Sequence, residues 1–274
     1  MVYRKILIKY GGNAMISEDL KNGIAKKLKA LQSHGIQVVL VHGGGPFINK
    51  SLTEAGIESK FFDGHRHTSL EAMSCIEKTL KGEVNSSLVS ILNKQSIKAV
   101  GLSGKDGKLA IAQKRWHKRV SESGETQKVD LGQVGDIIRV EPLLIDILLE
   151  NEFLPVITCI ASDDDGISFN INGDVFAGKI AAAIKADAYI VLTDVDGLYK
   201  DYPDPESIIR EIDTATISNY YGNVISGGMM PKIESCVSAV QSGVKQAVIL
   251  NGTRPEQITD YIINQLSIGT TIKL

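Results

Sequence analysis

The sequence predicts an α/β protein whose mainly parallel sheet is covered by helices on both faces. Short apolar runs alternate along the chain with longer segments of helical periodicity, which is the pattern of repeated strand–helix units. The run Gln37–His42 is dominated by β-branched residues, as in a strand buried on both faces. A chain of 274 residues with 43% hydrophobic residues can bury a sizeable core, as one large domain or two small ones.

The first half of the chain provides three candidate strands. The strand Lys5–Lys9 leads into a turn at Gly11 and Gly12, and Gly35 ends the helix that precedes the strand Gln37–His42. The third strand is Ala99–Leu102. The predicted helices between them are residues 19–34, residues 47–55 and, as one or two helices, residues 70–93.

The second half begins with a segment of different character. Residues 108–136 are polar and rich in turn formers, which predicts hairpins or a surface excursion. Beyond them, predicted helices at 142–150, 174–186 and 231–242 alternate with predicted strands at 154–157, 189–192 and 246–250, and residues 271–273 are predicted as a last edge strand. No long linker divides the chain, so any boundary between two lobes is expected near residues 166–174.

Composition excludes several classes of protein. The 30 basic and 32 acidic residues give a formal net charge of −2, which is no basic excess for nucleic acid. No apolar run reaches the roughly 18 residues of a membrane span, and the first strand begins too early for a signal peptide. Cys75, Cys159 and Cys236 fit neither a disulfide framework nor a zinc site. We expect a soluble cytoplasmic protein without nucleic-acid or membrane partners.

Two glycine-rich turns follow the first two strands. Lys9 is followed by Gly11 and Gly12, and His42 is followed by the glycines at 43–45. Backbone N–H groups at the carboxyl ends of such strands suit an anion, although each turn is also compatible with a plain connection. His42 closes a buried strand and is interpreted as structural. The turns match neither a Walker A loop nor Gly-x-Gly-x-x-Gly, which argues against a nicotinamide-dependent dehydrogenase.

Three further segments carry polar residues at element ends. Asn170–Asp174 precedes an alanine-rich helix, where a side chain can cap the helix or serve a site. Thr193–Tyr199 places Asp194 and Asp196 after a strand, as in a metal site, a nucleotide loop or an ordinary loop. Gly227–Lys232 brings glycines and a lysine to a helix start. Each signal is weak by itself.

Together and in this order, these segments resemble the motifs of the amino acid kinase family. The resemblance implies a three-layer αβα sandwich of the amino acid kinase and carbamate kinase type, with a mainly parallel central sheet. It also implies a substrate-binding and dimerising lobe of residues 1 to about 170 and an ATP-binding lobe of residues 171–274. The segments that carry it are Lys9–Met15, Val41–Pro46, Gly101–Gly107, Asn170–Asp174, Leu192–Gly197 and Gly228–Lys232, and it extends to Gly269 and Thr270.

The motifs are closest to those of family members that phosphorylate the side-chain carboxylate of N-acetyl-L-glutamate with MgATP in arginine biosynthesis. Such a carboxylate is already ionised at pH 7 and needs no general base, so cations and N–H donors suffice. The resemblance implies that Lys9 and Lys232 stabilise the transition state, with Asp174 holding them in place. Mg²⁺ is expected on ATP oxygens, with no metal ligand assigned in the chain.

The remaining roles also follow from the resemblance. Gly11 and Gly12 would bind phosphoryl oxygens. The acidic substrate would be bound by Gly44, Gly45, Arg66 and Asn170. ATP would be bound by Asp194, Val195, Asp196, Gly197, Leu198, Tyr199, Val224, Ile225 and Ser226.

Three alternatives or departures bear on these expectations. His65 and His67 flank Arg66 where relatives carry other residues, which leaves open a kinase of carrier-linked aminoadipate. A non-catalytic ligand-binding module on the same fold is the second alternative, although Lys9, Asp174 and Lys232 are all retained. Arginine-inhibited hexameric members of the family carry an additional helix before the first strand, and only four residues precede that strand here. The resemblance therefore implies a homodimer that is insensitive to arginine.

Overall fold

The strands of the protein alternate with helices along almost the whole chain. The computed structural model describes residues 2–62, 65–120 and 126–274. The strands are β1 Lys5–Tyr10, β2 Gln37–His42, β3 Phe61–Phe62, β4 His65–Arg66, β5 Ala99–Ser103, β6 Ala110–Val120, β7 Thr126–Val140, β8 Leu154–Thr158, β9 Ile160–Ser162, β10 Ser168–Asn170, β11 Ala188–Thr193, β12 Leu198–Tyr199, β13 Ile208–Ile209, β14 Glu211–Asp213, β15 Gln246–Asn251 and β16 Thr270–Lys273.

The helices fill the connections. They are α1 Glu18–Ser33, α2 Gly45–Glu54, α3 Leu70–Glu77, α4 Ser86–Lys94, α5 Leu143–Glu150, α6 Gly173–Ala183, α7 Met230–Gln241 and α8 Glu256–Ile262. A π-helical segment, Lys78–Asn85, joins α3 to α4, so the predicted helix at 70–93 is one continuous structure with an unusual middle. Short 3₁₀ turns include Gly12–Met15 and Gly227–Met229.

One eight-stranded sheet organises the fold, in the order β14-β16-β15-β11-β1-β2-β8-β5. Its pairs are parallel except for β15 with β16. The predicted α/β class with a mainly parallel sheet is confirmed. The expectation for residues 271–273 is only half right, because β16 is a strand but β14 lies outside it and forms the edge.

Helices cover both faces of this sheet and produce the predicted three-layer sandwich. Helices α6 and α7 pack on each other and on the central strands, while α1 packs against α4 and α8. Strands covered on both sides must be apolar throughout, which explains why Ile6–Ile8 and Val38–Val41 are fully buried. In the described part of the chain, no helix is both long and apolar enough to cross a bilayer.

A long hairpin accounts for most of residues 108–136. Strands β6 and β7 pair antiparallel, which confirms the predicted hairpin, and residues 121–125 lie outside the described ranges. With β9 and β10 they close a small four-stranded barrel. Gly132 of β7 forms a bridge with Thr68, and β10 ends at Asn170. The barrel therefore places the β3–β4 hairpin beside the start of α6.

Candidate active site

A cleft opens where β1, β2 and β10 end, at the carboxyl edge of the central strands. Parallel strands deliver their following turns to one edge of a sheet, which is where α/β proteins bind ligands. Most of the side chains and turns that the sequence predicted for catalysis and substrate binding meet here. The cleft is lined by Lys9, Gly11, Gly12, Gly43, Gly44, Gly45, Ile48, Phe61, Arg66, Val134, Cys159, Asn170, Ile171, Asn172, Gly173 and Asp174.

Asp174 binds two ammonium groups, one on each carboxylate oxygen. Lys9 Nζ lies 2.9 Å from Oδ1, and Lys232 Nζ lies 3.1 Å from Oδ2. The side chains of Lys9 and Asp174 are 9% and 7% exposed, so this charge cluster is almost shielded from water. Burial by itself raises the pKa of Asp174, but the two ammonium groups outweigh it and the pKa lies below the usual value.

The first turn of α6 fixes this carboxylate. Asn172 caps the helix, and its side-chain oxygen accepts hydrogen bonds from the N–H groups of Asp174 and Val175. Capping and chemistry are therefore divided between neighbours, since Asn172 caps and Asp174 binds the lysines. Buried Tyr189 donates to the Asp174 carbonyl oxygen, and its hydroxyl lies 3.3 Å from that of Ser235 on α7. Helices α6 and α7 are thus tied together beside the ion pairs.

The Lys9 side chain lies over the glycine turn that follows it. A Cβ atom on Gly11 would stand 2.7 Å from Lys9 Nζ, so glycine gives the ammonium its position above the turn. Gly12 has a φ of +72°, and a Cβ there would stand 2.8 Å from Asp194 Oδ1. This contact brings the start of the predicted nucleotide loop against the predicted phosphate-binding turn.

Arg66 is held at the other side of the cleft. Its guanidinium donates to the Ser59 hydroxyl and to the Asn49 side-chain oxygen, and it lies 4.5 Å from the centre of the Phe61 ring. Burial lowers the pKa of Arg66 from its very high ordinary value, which leaves it a cation at neutral pH. The structure thus presents a fixed, planar cation suited to a carboxylate.

Asn170 is linked to Arg66 through Thr68. The Asn170 amide donates to the Thr68 hydroxyl at 3.3 Å, and that hydroxyl donates to the Arg66 carbonyl oxygen at 3.0 Å. Thr68 itself is fully buried and bonded to the Gly132 region of β7. The two predicted substrate-binding residues therefore belong to one hydrogen-bonded unit.

The predicted nucleotide loop is organised around Asp196. Its Oδ1 accepts hydrogen bonds from Asn251 at 3.1 Å, Arg254 at 3.1 Å and Gln257 at 2.8 Å. The Tyr199 hydroxyl donates to its Oδ2 at 3.4 Å, and the Leu198 N–H donates to Thr270. Asp196 thus joins the loop to β15 and α8, a structural function that the sequence did not reveal.

The segment Val224–Ser226 leads into the 3₁₀ turn Gly227–Met229 and then into α7, which carries Lys232 in its first turn. Ile225 is buried and its N–H donates to the Tyr220 carbonyl oxygen.

Four residues that hold the charged groups of the site were not predicted from the sequence. They are Asn49, Ser59, Phe61 and Tyr189. Only their neighbourhood in space identifies them.

Fold and site together define the class of protein. A solved carbamate kinase structure from Giardia superposes with a TM-score of 0.68 at 16% identity, covering 100% of this chain and 99% of that one, which shows a shared fold. A sequence profile of the amino acid kinase family matches residues 4–251. The chain belongs to the amino acid kinase family.

Curated relatives extend this comparison over nearly the whole chain. An acetylglutamate kinase from Methanosphaera stadtmanae is 43% identical over 272 residues, covering 98% of this chain and 91% of that protein. An acetylglutamate kinase from Methanococcus aeolicus is 42% identical over 270 residues, covering 98% of this chain and 92% of that protein.

Proposed function

We propose that this protein is a kinase that transfers the γ-phosphoryl group of MgATP to the side-chain carboxylate of N-acetyl-L-glutamate. The products are N-acetyl-L-glutamyl 5-phosphate and ADP, and the reaction belongs to arginine biosynthesis. The proposal draws on the curated acetylglutamate kinases described above. The observation that carries it in the structure is the pair of lysines on one buried aspartate, above two glycine turns.

The chemistry asks for charge stabilisation more than for proton transfer. The attacking carboxylate and the polyphosphate are both anions, and negative charge spreads over the transferred group in the transition state. Lys9 and Lys232 supply positive charge, and Gly11, Gly12, Gly44 and Gly45 would supply N–H donors. Asp174 forms an ion pair with both ammonium groups, and the carboxylate substrate brings no proton to remove, so its role is to orient the lysines.

The acidic substrate would lie between Arg66 and Lys9. Arg66 would bind its α-carboxylate in a bidentate manner, with Asn170 beside it. The glycine turn at Gly44 and Gly45 would contact the substrate from the β2 side. This arrangement directs the free side-chain carboxylate towards the two lysines.

ATP would bind at the other part of the cleft edge. The segments Asp194–Tyr199 and Val224–Ser226 would bind the nucleotide, and Gly11 and Gly12 would contact its terminal phosphate. In the described residues, no three His, Cys, Asp or Glu side chains form a metal site. Mg²⁺, which neutralises phosphate charge, would be held mainly by ATP oxygens, with water completing its coordination shell.

The proposal includes the wider organisation expected from the sequence. Residues 1 to about 170 would bind the acidic substrate and form a homodimer, and residues 171–274 would bind ATP. A labile acyl phosphate made at the expense of ATP suits a cytoplasmic biosynthetic enzyme.

The test is an assay of ADP release and acyl phosphate formation with MgATP. N-acetyl-L-glutamate is compared with glutamate, aspartate and carrier-linked aminoadipate. Lys9→Met removes the cleft ammonium while keeping most of the side-chain length, and Lys26→Met removes an exposed ammonium on α1 as a matched control. We expect turnover with N-acetyl-L-glutamate, lost in Lys9→Met and kept in Lys26→Met.

Other outcomes would redirect the proposal. Turnover with carrier-linked aminoadipate alone would keep the phosphoryl transfer and reassign the substrate, with His65 and His67 as the first residues to exchange. Binding of ATP without turnover of any acid would contradict a catalytic function and favour a non-catalytic module on this fold.

A further inference from the structure

His42 lies directly beneath the glycine turn, at the end of β2, and is completely buried. Its Nδ1 lies 2.8 Å from the Gly43 carbonyl oxygen, and its Nε2 lies 2.9 Å from the side-chain nitrogen of Asn85. Both ring nitrogens therefore have partners, and one partner belongs to the turn itself.

The partners determine where the imidazole proton is. A carbonyl oxygen only accepts, so Nδ1 must carry the hydrogen that it donates to Gly43. The Asn85 amide nitrogen only donates, so Nε2 must be the unprotonated acceptor. The same amide nitrogen donates to the Val156 carbonyl oxygen at 2.9 Å, which fixes the amide's orientation. The ring is thus a neutral Nδ1–H tautomer.

The charges around His42 favour this neutral form. Burial, assisted by Lys81, lowers the pKa of His42 to about 4, although the bond to Gly43 opposes this change. Lys81 forms an ion pair with Asp106 at 3.0 Å. On the neighbouring strand β1, Tyr10 lies opposite His42, and the preceding residue, Lys9, forms an ion pair with Asp174. This environment favours the neutral ring at neutral pH, which agrees with the tautomer that the hydrogen bonds define.

Asn85 is the last residue of the π-helical segment Lys78–Asn85. π-helical turns are rare and are found mostly at functional sites. Here the segment brings the Asn85 amide across three neighbouring strands, to His42 of β2, Val156 of β8 and Gly101 of β5. The Asn85 oxygen lies so close to Gly101 that a Cβ there would overlap it.

The same segment also packs against the turn directly. A Cβ on Gly44 would stand 2.6 Å from the Leu80 Cδ2 and 3.7 Å from the Val84 Cγ2. The turn therefore rests on Leu80 and Val84 from one side and is bonded through Gly43 to His42 from below. Two contacts of this rare helical segment thus reach Gly44 directly, and a third, from Asn85, reaches the turn through His42.

We infer that His42 and Asn85 are positioning residues that hold the Gly43–Gly45 turn in the conformation that binds the acidic substrate. The inference rests on the proposed function for what the turn binds, but not for the hydrogen bonds themselves. Glycines are the most flexible residues, so an unsupported triple-glycine turn would sample many conformations. A fixed Gly43 carbonyl limits these conformations and so restrains the turn where it lines the cleft.

The first test does not depend on activity. ¹⁵N NMR of the full chain with ¹⁵N-labelled histidine should show that the His42 ring is the Nδ1–H tautomer and stays neutral from pH 5 to pH 8. His42→Asn assigns it among the five histidines by its disappearance. A His42 ring of the Nε2–H form, or a charged ring at pH 7, would overturn the inference.

The second test separates the two hydrogen bonds. His42→Asn places an amide nitrogen near Nδ1 and keeps a donor for Gly43, whereas His42→Gln places its amide near Nε2 and loses that donor. We expect His42→Asn to remain within about threefold of the original kcat/KM for N-acetyl-L-glutamate. His42→Gln should lower it about 10-fold, the effect of one lost hydrogen bond, with KM for ATP unchanged.

Asn85→Asp provides an independent variant. Its carboxylate only accepts, so the His42 proton should move to Nε2 or a second proton should bind, and the NMR signal should report this change. Thr79→Val is the structural control, because the Thr79 hydroxyl is buried in the same segment and bonds back to the Cys75 carbonyl oxygen. Its kinetics should stay unchanged even where its Tm falls.

Equal losses in His42→Asn and His42→Gln that simply follow Tm would contradict the positioning role. A protein that does not phosphorylate N-acetyl-L-glutamate but retains the Nδ1–H tautomer would contradict the proposed function only. The two failures are therefore distinguishable.

Discussion

Lys9 and Lys232 come from opposite ends of the chain, and their ammonium groups bind different oxygens of the same carboxylate, at 2.9 and 3.1 Å. Asp174 thus fixes the distance between two cations that would otherwise repel each other. A kinase that acts on an already ionised acid needs such fixed positive charge more than it needs a base.

We expect Asp174→Asn to lower kcat by at least about 10²-fold, because the two lysines lose their common anchor. It should also lower the free energy of unfolding by about 3–5 kcal/mol, since Lys9 then keeps a buried charge without a counterion. Steady-state kinetics and urea unfolding measure the two effects.

Asp187→Asn is the matched control for Asp174→Asn. Asp187 is 9% exposed, binds Lys245 and accepts hydrogen bonds from the backbone N–H groups of Arg4 and Lys5, away from the cleft. The Asp187→Asn protein should be less stable than the original protein and have the same kcat. An equal loss of kcat in both variants would show that Asp174 acts on activity through folding alone.

Acid should weaken the fold through its buried aspartates. Burial raises the pKa of Asp187. Its hydrogen bonds to Lys245, Lys5 and Arg4 lower that pKa by more, so the net shift is downward. A carboxyl group with a lowered folded pKa stabilises the protein fully above about pH 4, the unfolded pKa, and loses this contribution as the pH falls through the folded value.

The free energy of unfolding of the original protein should therefore fall steeply below about pH 4. Asp187→Asn should start from a lower value at pH 7 and show a shallower decline, because one of the protonating groups is gone. Chemical unfolding at pH values from 7 to 2.5 tests this, and parallel curves for the two proteins would contradict it.

Much of the fold could be predicted because its physical signals are local. The run Gln37–His42 is a strand with the predicted bounds, since a strand covered on both faces must be apolar along its length. The alternation of strands and helices likewise required the parallel sheet. The π-helical turn at Lys78–Asn85 was not predictable, because the contacts that Asn85 makes there reach strands far apart in sequence.

The residues of the site likewise include some that the sequence predicted and others that only the structure identifies. Lys9 and Lys232 were predicted from glycines and lysines at element ends, and their meeting on Asp174 matches the arrangement that the resemblance implied. Tyr189 was not predicted, because a tyrosine in an apolar strand has the pattern of a core residue. Its hydroxyl bond to the Asp174 carbonyl oxygen depends on how α6 packs against β11, which no local pattern contains.

Arg66→Lys should raise KM for the acidic substrate about 10- to 100-fold, with a smaller change in kcat. A lysine keeps the charge but cannot make a bidentate contact or stack on Phe61 as the planar guanidinium does. Phe61→Leu should raise KM for the acidic substrate only a few-fold, because an exposed cation–π contact contributes little binding energy. An unchanged KM in Arg66→Lys would remove Arg66 from the substrate site.

Asp196→Asn should destabilise the protein by about 1–3 kcal/mol, because an amide cannot accept the three hydrogen bonds from Asn251, Arg254 and Gln257 equally well. KM for ATP should rise with it, since the loop at 194–199 loses its support. Arg254→Ala, which removes one donor, should show the same two effects at smaller size. A raised KM at unchanged Tm would instead indicate direct contact between Asp196 and the nucleotide.

Two glycines in α6 should respond to alanine in opposite directions. A Cβ on Gly173 would stand 3.7 Å from Cys159 Sγ and from Lys9 Cε, which is ordinary contact. Gly173→Ala should therefore raise stability by about 0.4–1 kcal/mol, by restricting the unfolded chain, and leave kcat unchanged.

Gly178→Ala is the matched variant five residues further along the same helix. Its Cβ would stand 2.9 Å from the Ser235 carbonyl oxygen of α7, a backbone atom that cannot rotate away. We expect a loss of about 1–3 kcal/mol as the helices separate. Since α6 carries Asp174 and α7 carries Lys232, the separation should lengthen their ion pair and lower kcat as well. Thermal unfolding and steady-state kinetics of both variants test this, and a Gly178→Ala protein that loses stability at full kcat would show that the close approach of the helices serves folding alone.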